Sequence, residues 1–168
     1  MPAPTEDSVK RQADQLNKHG VISKKFGMKM LVHNHTQEFV TLQGSGKRPY
    51  DVLLAETDPA LVAMQLDIGW ASVASQDILQ MFKKNPGRYE LWHVKDAKGL
   101  KAGPPADLRT ANLVPVGEGE VDYKTIFKNA ELAGMKHFCV EQDNAADNGS
   151  DAIEAVRTSY KNLVKILS

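Results

Sequence analysis

ALVAMQLDIG (60–69) is a nearly continuous apolar run that ends on a carboxylate, and its reading decides the fold. A strand with one wet face alternates apolar and polar residues, whereas an unbroken run of this length suits a strand covered on both faces. Three further short stretches follow the same plan: MKMLVH (28–33), YELWHVKD (89–96) and HFCVEQD (137–143). Helical segments separate them. Residues 49–57 (PYDVLLAET) open with Pro49 at a first-turn position. Residues 75–84 (SQDILQMFKK) take Ser75 as N-cap and are broken by Pro86-Gly87, and 121–133 (VDYKTIFKNAELA) end at Gly134. A helix over 5–19, capped by Thr5 and stopped by Gly20, comes before the first strand. A last amphipathic helix over 151–167 sets Ile153, Val156, Tyr160, Leu163, Val164 and Leu167 on one stripe. The order is α–(βα)4, which predicts an α/β protein with a parallel sheet, one domain over 1–168.

Composition narrows the function classes. The 168 residues are 42% hydrophobic and 25% charged, ordinary globular usage that excludes a disordered or fibrous chain. Lysine plus arginine number 21 against 21 aspartate plus glutamate, and zero net charge argues against a nucleic-acid partner. No stretch approaches the ~20 apolar residues of a membrane span, and MPAPTEDSVKRQ lacks the apolar core of a signal peptide. The expectation is a cytoplasmic protein with no membrane partner. Cys139 is the single cysteine, so no internal disulfide forms; it is expected as a small buried hydrophobe. GSGK (44–47) lies between polar segments and reads as a turn, because a phosphate-binding loop needs a strand before it and a helix after it.

The chemistry gathers at one place in the pattern. Every predicted strand ends, on its carboxyl side, in residues that are costly to bury and good at binding metal: His33-Asn34-His35, Asp67, His93 with Lys95 and Asp96, and Glu141 with Asp143. Ligands of parallel α/β sheets sit at that end, and neighbouring strands are about 4.8 Å apart, so four successive strand ends can converge on one cation. Two imidazoles with two carboxylates suit Mn, Zn, Co or Fe as divalent ions better than calcium. Alternation puts His33 with His35, His93 with Lys95, and Glu141 with Asp143 on the same side of their strands. One member of each pair can then hold metal while the other meets substrate: Lys95 to stabilise an oxyanion, His35 or Asp143 to move a proton. Against this stands the reading of Lys95 and Asp96 as a solvated rim pair. Trp70 and Trp92 flank the strand ends as a stacking wall or as packing; His19 and His137 fall on the wrong side.

HNHTQEF (33–39), PYDVLLAETDP (49–59), QLDIGW (65–70), HVKD (93–96), VGEGEVDY (116–123) and VEQDN (140–144), in this order, resemble the sugar phosphate isomerase/epimerase group of xylose-isomerase-like TIM barrels. The resemblance implies a divalent-metal site at barrel strands five to eight, with ligands that are usually Glu, Asp, His and Glu. Asp67, His93 and Glu141 fall on the last three positions. His33 falls on the first, in a His-Asn-His triplet that leaves His33 or His35 as the ligand. It further implies an isomerase or epimerase acting on a sugar or keto-sugar through an enediolate, elimination being a close variant. His35, Glu141, Asp143 and Lys95 are the catalytic candidates, and Asn34, Glu38 and Trp70 the substrate contacts. The chain matches only the last four βα units and the helix before them. The expectation is therefore a half barrel that self-associates, and the rival is a catalytically incomplete half barrel that at most binds metal or a small polyol.

Overall fold

The computed structural model describes residues 3–100, 110–147 and 151–168. Helix α1 (Glu6–Lys24) starts from a capping box, in which Thr5 accepts from the Ser8 amide while the Ser8 hydroxyl accepts from the Thr5 amide. It does not stop at Gly20. A Cβ there would lie 2.8 Å from Leu61 Cβ, so Gly20 lets the helix pass close to the next layer and helical backbone continues for another turn.

Four parallel strands form one sheet in the order β1 (Met30–His33), β2 (Val62–Asp67), β3 (Leu91–Val94), β6 (His137–Val140). Helix α2 (Pro49–Glu56) joins β1 to β2, with Pro49 in its first turn as expected. Between β2 and β3 lie α3 (Ile68–Val73) and α4 (Ile78–Lys84). The cap of α4 is Asp77, whose carboxylate accepts from the Gln80 amide; Ser75 sits in the left-handed region at φ 58° and closes α3 instead. The helix expected over 121–133 is two, α5 (Tyr123–Lys128) and α6 (Ala130–Ala133). Asn129 divides them by turning its side-chain amide onto the Thr125 carbonyl, the usual competition of asparagine with its own helix.

A two-stranded antiparallel ribbon, β4 (Asp96–Lys98) with β5 (Asn112–Val114), lies between β3 and α5. Helix α7 (Ala152–Leu167) docks through Leu163 and through Ser159 and Asn162, which bond the Val116 amide and carbonyl. Of its predicted stripe only Leu163 is buried. Ile153, Val156, Tyr160, Val164 and Leu167 face solvent.

The sheet has two faces of opposite character. Val32, Met64, Leu66, Trp92 and Val94 point to the helices and form the main core. The alternate residues His33, Gln65, Asp67, His93 and Lys95 point to the other face, which in a closed barrel is the lumen. The molecule is thus half of a TIM barrel with a helix added in front, and β1 and β6 are its sheet edges among the described residues. Edge position corrects the expectation for Cys139: it is exposed, because no strand among the described residues lies beyond β6. No helix among the described residues is long and apolar enough to cross a membrane.

Candidate metal centre at the carboxyl ends of the strands

The parallel register brings the strand ends together. His33 lies beside Gln65, Asp67 beside His93, and His93 beside Cys139. One ligand atom from each of His33, Asp67 and His93 lies within 4.8 Å of the others. His33 Nδ1 is buried without a hydrogen bond, while the buried Asp67 Oδ2 and His93 Nδ1 meet only charged neighbours, Lys95 at 3.1 Å and Glu141 at 2.7 Å. Buried polar atoms rarely go unpaired, since each costs about 1–3 kcal/mol. The unpaired His33 Nδ1, with two further buried atoms of metal-ligating type beside it, fits a divalent cation.

Asp67 and His93 are held from behind. Asp67 is wholly buried and caps α3, its Oδ1 accepting from the Trp70 amide at 2.8 Å, which leaves Oδ2 turned to the cluster. Asn34, also wholly buried, clamps the Asp67 backbone: its Oδ1 accepts from the Asp67 amide and its Nδ2 donates to the Asp67 carbonyl. The Gln65 amide meets His93 Nε2 at 2.8 Å and leaves Nδ1 facing the cluster. Burial lowers the pKa of His33 and favours the neutral, ligating imidazole. The neighbouring Asp67 carboxylate raises that of His93, with Glu141 adding to it against burial.

Lys95 lies across the same cluster. Its ammonium is 1% exposed and touches three carboxylates: Asp143 Oδ2 at 2.8 Å, Asp67 Oδ2 at 3.1 Å and Glu141 Oε2 at 3.3 Å. Burial alone would pull its pKa down; Asp67 and Asp143 outweigh that, so the net shift is upward and the charge is kept. The Trp70 ring lies 5.2 Å below the ammonium. Gly69 makes this approach possible, because a Cβ there would come within 2.5 Å of the Lys95 carbonyl oxygen.

Lys95 and Asp96 are therefore not a solvated rim pair. Asp96 is 1% exposed and accepts from the amides of Ala97, Gly117, Gly119 and Val121, anchoring the 116–121 turn under the ribbon.

The remaining candidates sit at the rim. Glu141 Oε2 comes within 2.7 Å of His93 Nδ1 from a half-exposed position. The His35 ring packs edge-on to His33 at 4.8 Å and lies 6.0 Å from Trp70. Glu38 accepts from the His35 amide at 2.8 Å. Trp92 belongs to the other face, stacked on Phe82 with its Nε1 donating to the Tyr89 carbonyl. His137 is exposed at the start of β6 and His19 on α1, both outside the cluster.

Two positioning side chains escaped the sequence reading. Gln65 shares the parity of Asp67, a signal that was there to be used. Tyr123 is fully buried, and its hydroxyl bonds both the amide and the carbonyl of Lys95, at 2.8 and 2.7 Å; only the distant VDY stretch hints at it.

The chain was compared with known proteins. The family model described as xylose isomerase-like TIM barrel matches residues 2–163. Inosose dehydratases of Clostridium perfringens and Geobacillus thermodenitrificans are 29% and 28% identical over 154 and 161 residues, covering 85% and 88% of this chain and 50% and 52% of theirs. A sugar phosphate isomerase/epimerase from Parabacteroides distasonis superposes with a TM-score of 0.81 at 26% identity, over 99% of this chain and 56% of that one. A xylose isomerase-like TIM barrel protein from Mycobacterium smegmatis, in complex with magnesium, gives 0.66 at 17% identity and shares the fold. The chain spans about half the length of the curated relatives it matches. Sheet order, strand-end chemistry and a match over nearly every residue agree: this chain belongs to the xylose isomerase-like TIM barrel family.

Proposed function

We propose that the chain carries the metal half of an enzyme that removes a proton next to the carbonyl of a sugar or keto-sugar. The observation that carries this is the convergence of buried ligand atoms on His33, Asp67 and His93 within 4.8 Å of one another, beside the charged Lys95. His33, Asp67, His93 and, after a small rotation, Glu141 would hold the ion; of the two histidines of the triplet, half-buried His33, with its Nδ1 buried, is the better ligand. A bound divalent ion supplies Lewis acidity toward substrate oxygens. Two imidazoles and two carboxylates favour zinc, iron, cobalt or manganese over magnesium, which prefers all-oxygen shells.

The chain's own residues do the rest. His35, exposed at the rim, or Glu141 takes and returns the proton. Lys95 stabilises the enediolate oxygen as charge develops, and Asp143 works with it. Trp70 offers an apolar wall, Glu38 fixes the His35 backbone, and Asn34 serves the substrate through Asp67. Returning the proton gives isomerisation or epimerisation; losing a neighbouring hydroxyl gives dehydration, the reaction named in the inosose dehydratases that the chain resembles. Two copies joined at β6 and β1 would supply the wall opposite the site.

A second reading is a half barrel that binds metal or a small polyol without turnover. The open inner face, with Glu141 and Asp143 half exposed, favours it.

Metal content separates these readings from a purely structural cluster. Stripped protein re-equilibrated with Mn²⁺ or Zn²⁺ is expected to hold about one ion per chain, and Asp67→Ala to hold none. No ion in the native chain would end the metal reading. Proton exchange from keto-sugars and keto-cyclitols by the loaded protein then decides between enzyme and binder.

A further inference from the structure

Lys95 and a metal ion need the same oxygens. The ammonium contacts Asp67 Oδ2 and Glu141 Oε2, the carboxylate atoms that turn toward His93 and that an ion in this cluster would take. Its closest partner lies elsewhere. Asp143 receives it through both oxygens, at 3.0 and 2.8 Å, and Asp143 is outside the His33, Asp67 and His93 group. The charge count points the same way. Three carboxylates against one ammonium leave two negative charges, which one divalent ion balances only if Lys95 stays paired in the site.

We infer that Asp143 is a positioning residue that draws Lys95 away from Asp67 and Glu141, so that a lysine ammonium and a divalent cation can share one buried site. This rests on the metal reading above and assigns Asp143 a task distinct from proton transfer. Lys95 can move only along its side chain. Its backbone is fixed at both the amide and the carbonyl by the buried Tyr123 hydroxyl, and Gly69 packs against its Cβ. Without Asp143, the ammonium has Asp67 and Glu141 left as partners and competes with the ion for them.

The test is a Mn²⁺ and Zn²⁺ titration of the full chain and its variants, read as dissociation constants, with thermal melts to exclude unfolding. Asp143→Asn is expected to weaken metal binding by about 10- to 100-fold, as loss of an outer partner of a metal site does. Lys95→Met is expected to tighten it by about tenfold through loss of like-charge repulsion. The double variant is decisive, since removing Lys95 should restore the affinity that Asp143→Asn lost. If the double variant binds as weakly as Asp143→Asn, Asp143 acts on the ion itself and the inference fails; it fails equally if Asp143→Asn binds like the native chain. Lys95→Gln replaces Lys95→Met should the latter not fold. Metal bound by Lys95→Met but not by the native chain would show a competition that Asp143 does not relieve, and would overturn both the inference and the proposed function. Metal bound by none of them would overturn both.

Discussion

Strands β3 and β6 are hydrogen-bonded neighbours with the same plan, an apolar stretch running into charged residues, yet they are buried very differently. On the helix side, Trp92 and Val94 of β3 are 0% exposed, while Phe138 and Val140 of β6 are 40% and 37% exposed. The contrast comes from neighbours. β3 has a strand on either side and α4 and α5 behind it, whereas β6 is an edge, and α7 docks on Val116 and α5. An apolar run states that a strand can be covered; what covers it is a property of the assembly.

The largest break in this comparison should come from Trp92→Ala. Trp92 stacks on Phe82, packs on Phe127 and donates to the Tyr89 carbonyl, so its removal opens a cavity between sheet and helices. The expected cost is about 3–5 kcal/mol, read by urea unfolding. A loss below about 1 kcal/mol would mean that β3 is no better packed than β6.

The ribbon that follows β3 offers the next effect. Asp96 gathers four backbone amides from the ribbon and the 116–121 turn. Asp96→Asn keeps the shape, but its amide nitrogen turns a donor toward other donors, so a loss of about 3 kcal/mol is expected. Hydrogen exchange should rise first at Gly117, Gly119 and Val121. Uniform exchange across the sheet would show instead that Asp96 supports β3 as a whole.

These two sites also show what was legible in the sequence. The short apolar runs and the punctuation between them gave all four parallel strands, and alternation within them set His33 with His35 and His93 with Lys95 on shared sides. What escaped depends on contacts between distant segments. Nothing local to Asp96 says that four amides from 97 to 121 converge on it, and nothing near Tyr123 says that its hydroxyl reaches Lys95, 28 positions earlier. Gly20 reads as a helix stop until Leu61 is known to press on it. Cys139 and the α7 stripe failed for the reason β6 did: apolar character was in the residues, but the covering layer was not.

Phe138→Ala carries the smallest effect and the sharpest test of the comparison. Phe138 meets Phe127 edge-on at 5.1 Å and is otherwise open to solvent. In an isolated half barrel its truncation should cost about 1 kcal/mol, the worth of one aromatic pair and a partly buried ring. If two copies join at β6 and β1, the same ring lies inside the seam, and the loss should approach that of a buried phenylalanine, about 3–5 kcal/mol. Dilution separates the two cases. A seam makes unfolding depend on protein concentration, and Phe138→Ala should move the dimer–monomer midpoint in sedimentation or light scattering. A small loss that is the same at every concentration would leave β6 an open edge and remove self-association from the account of this chain.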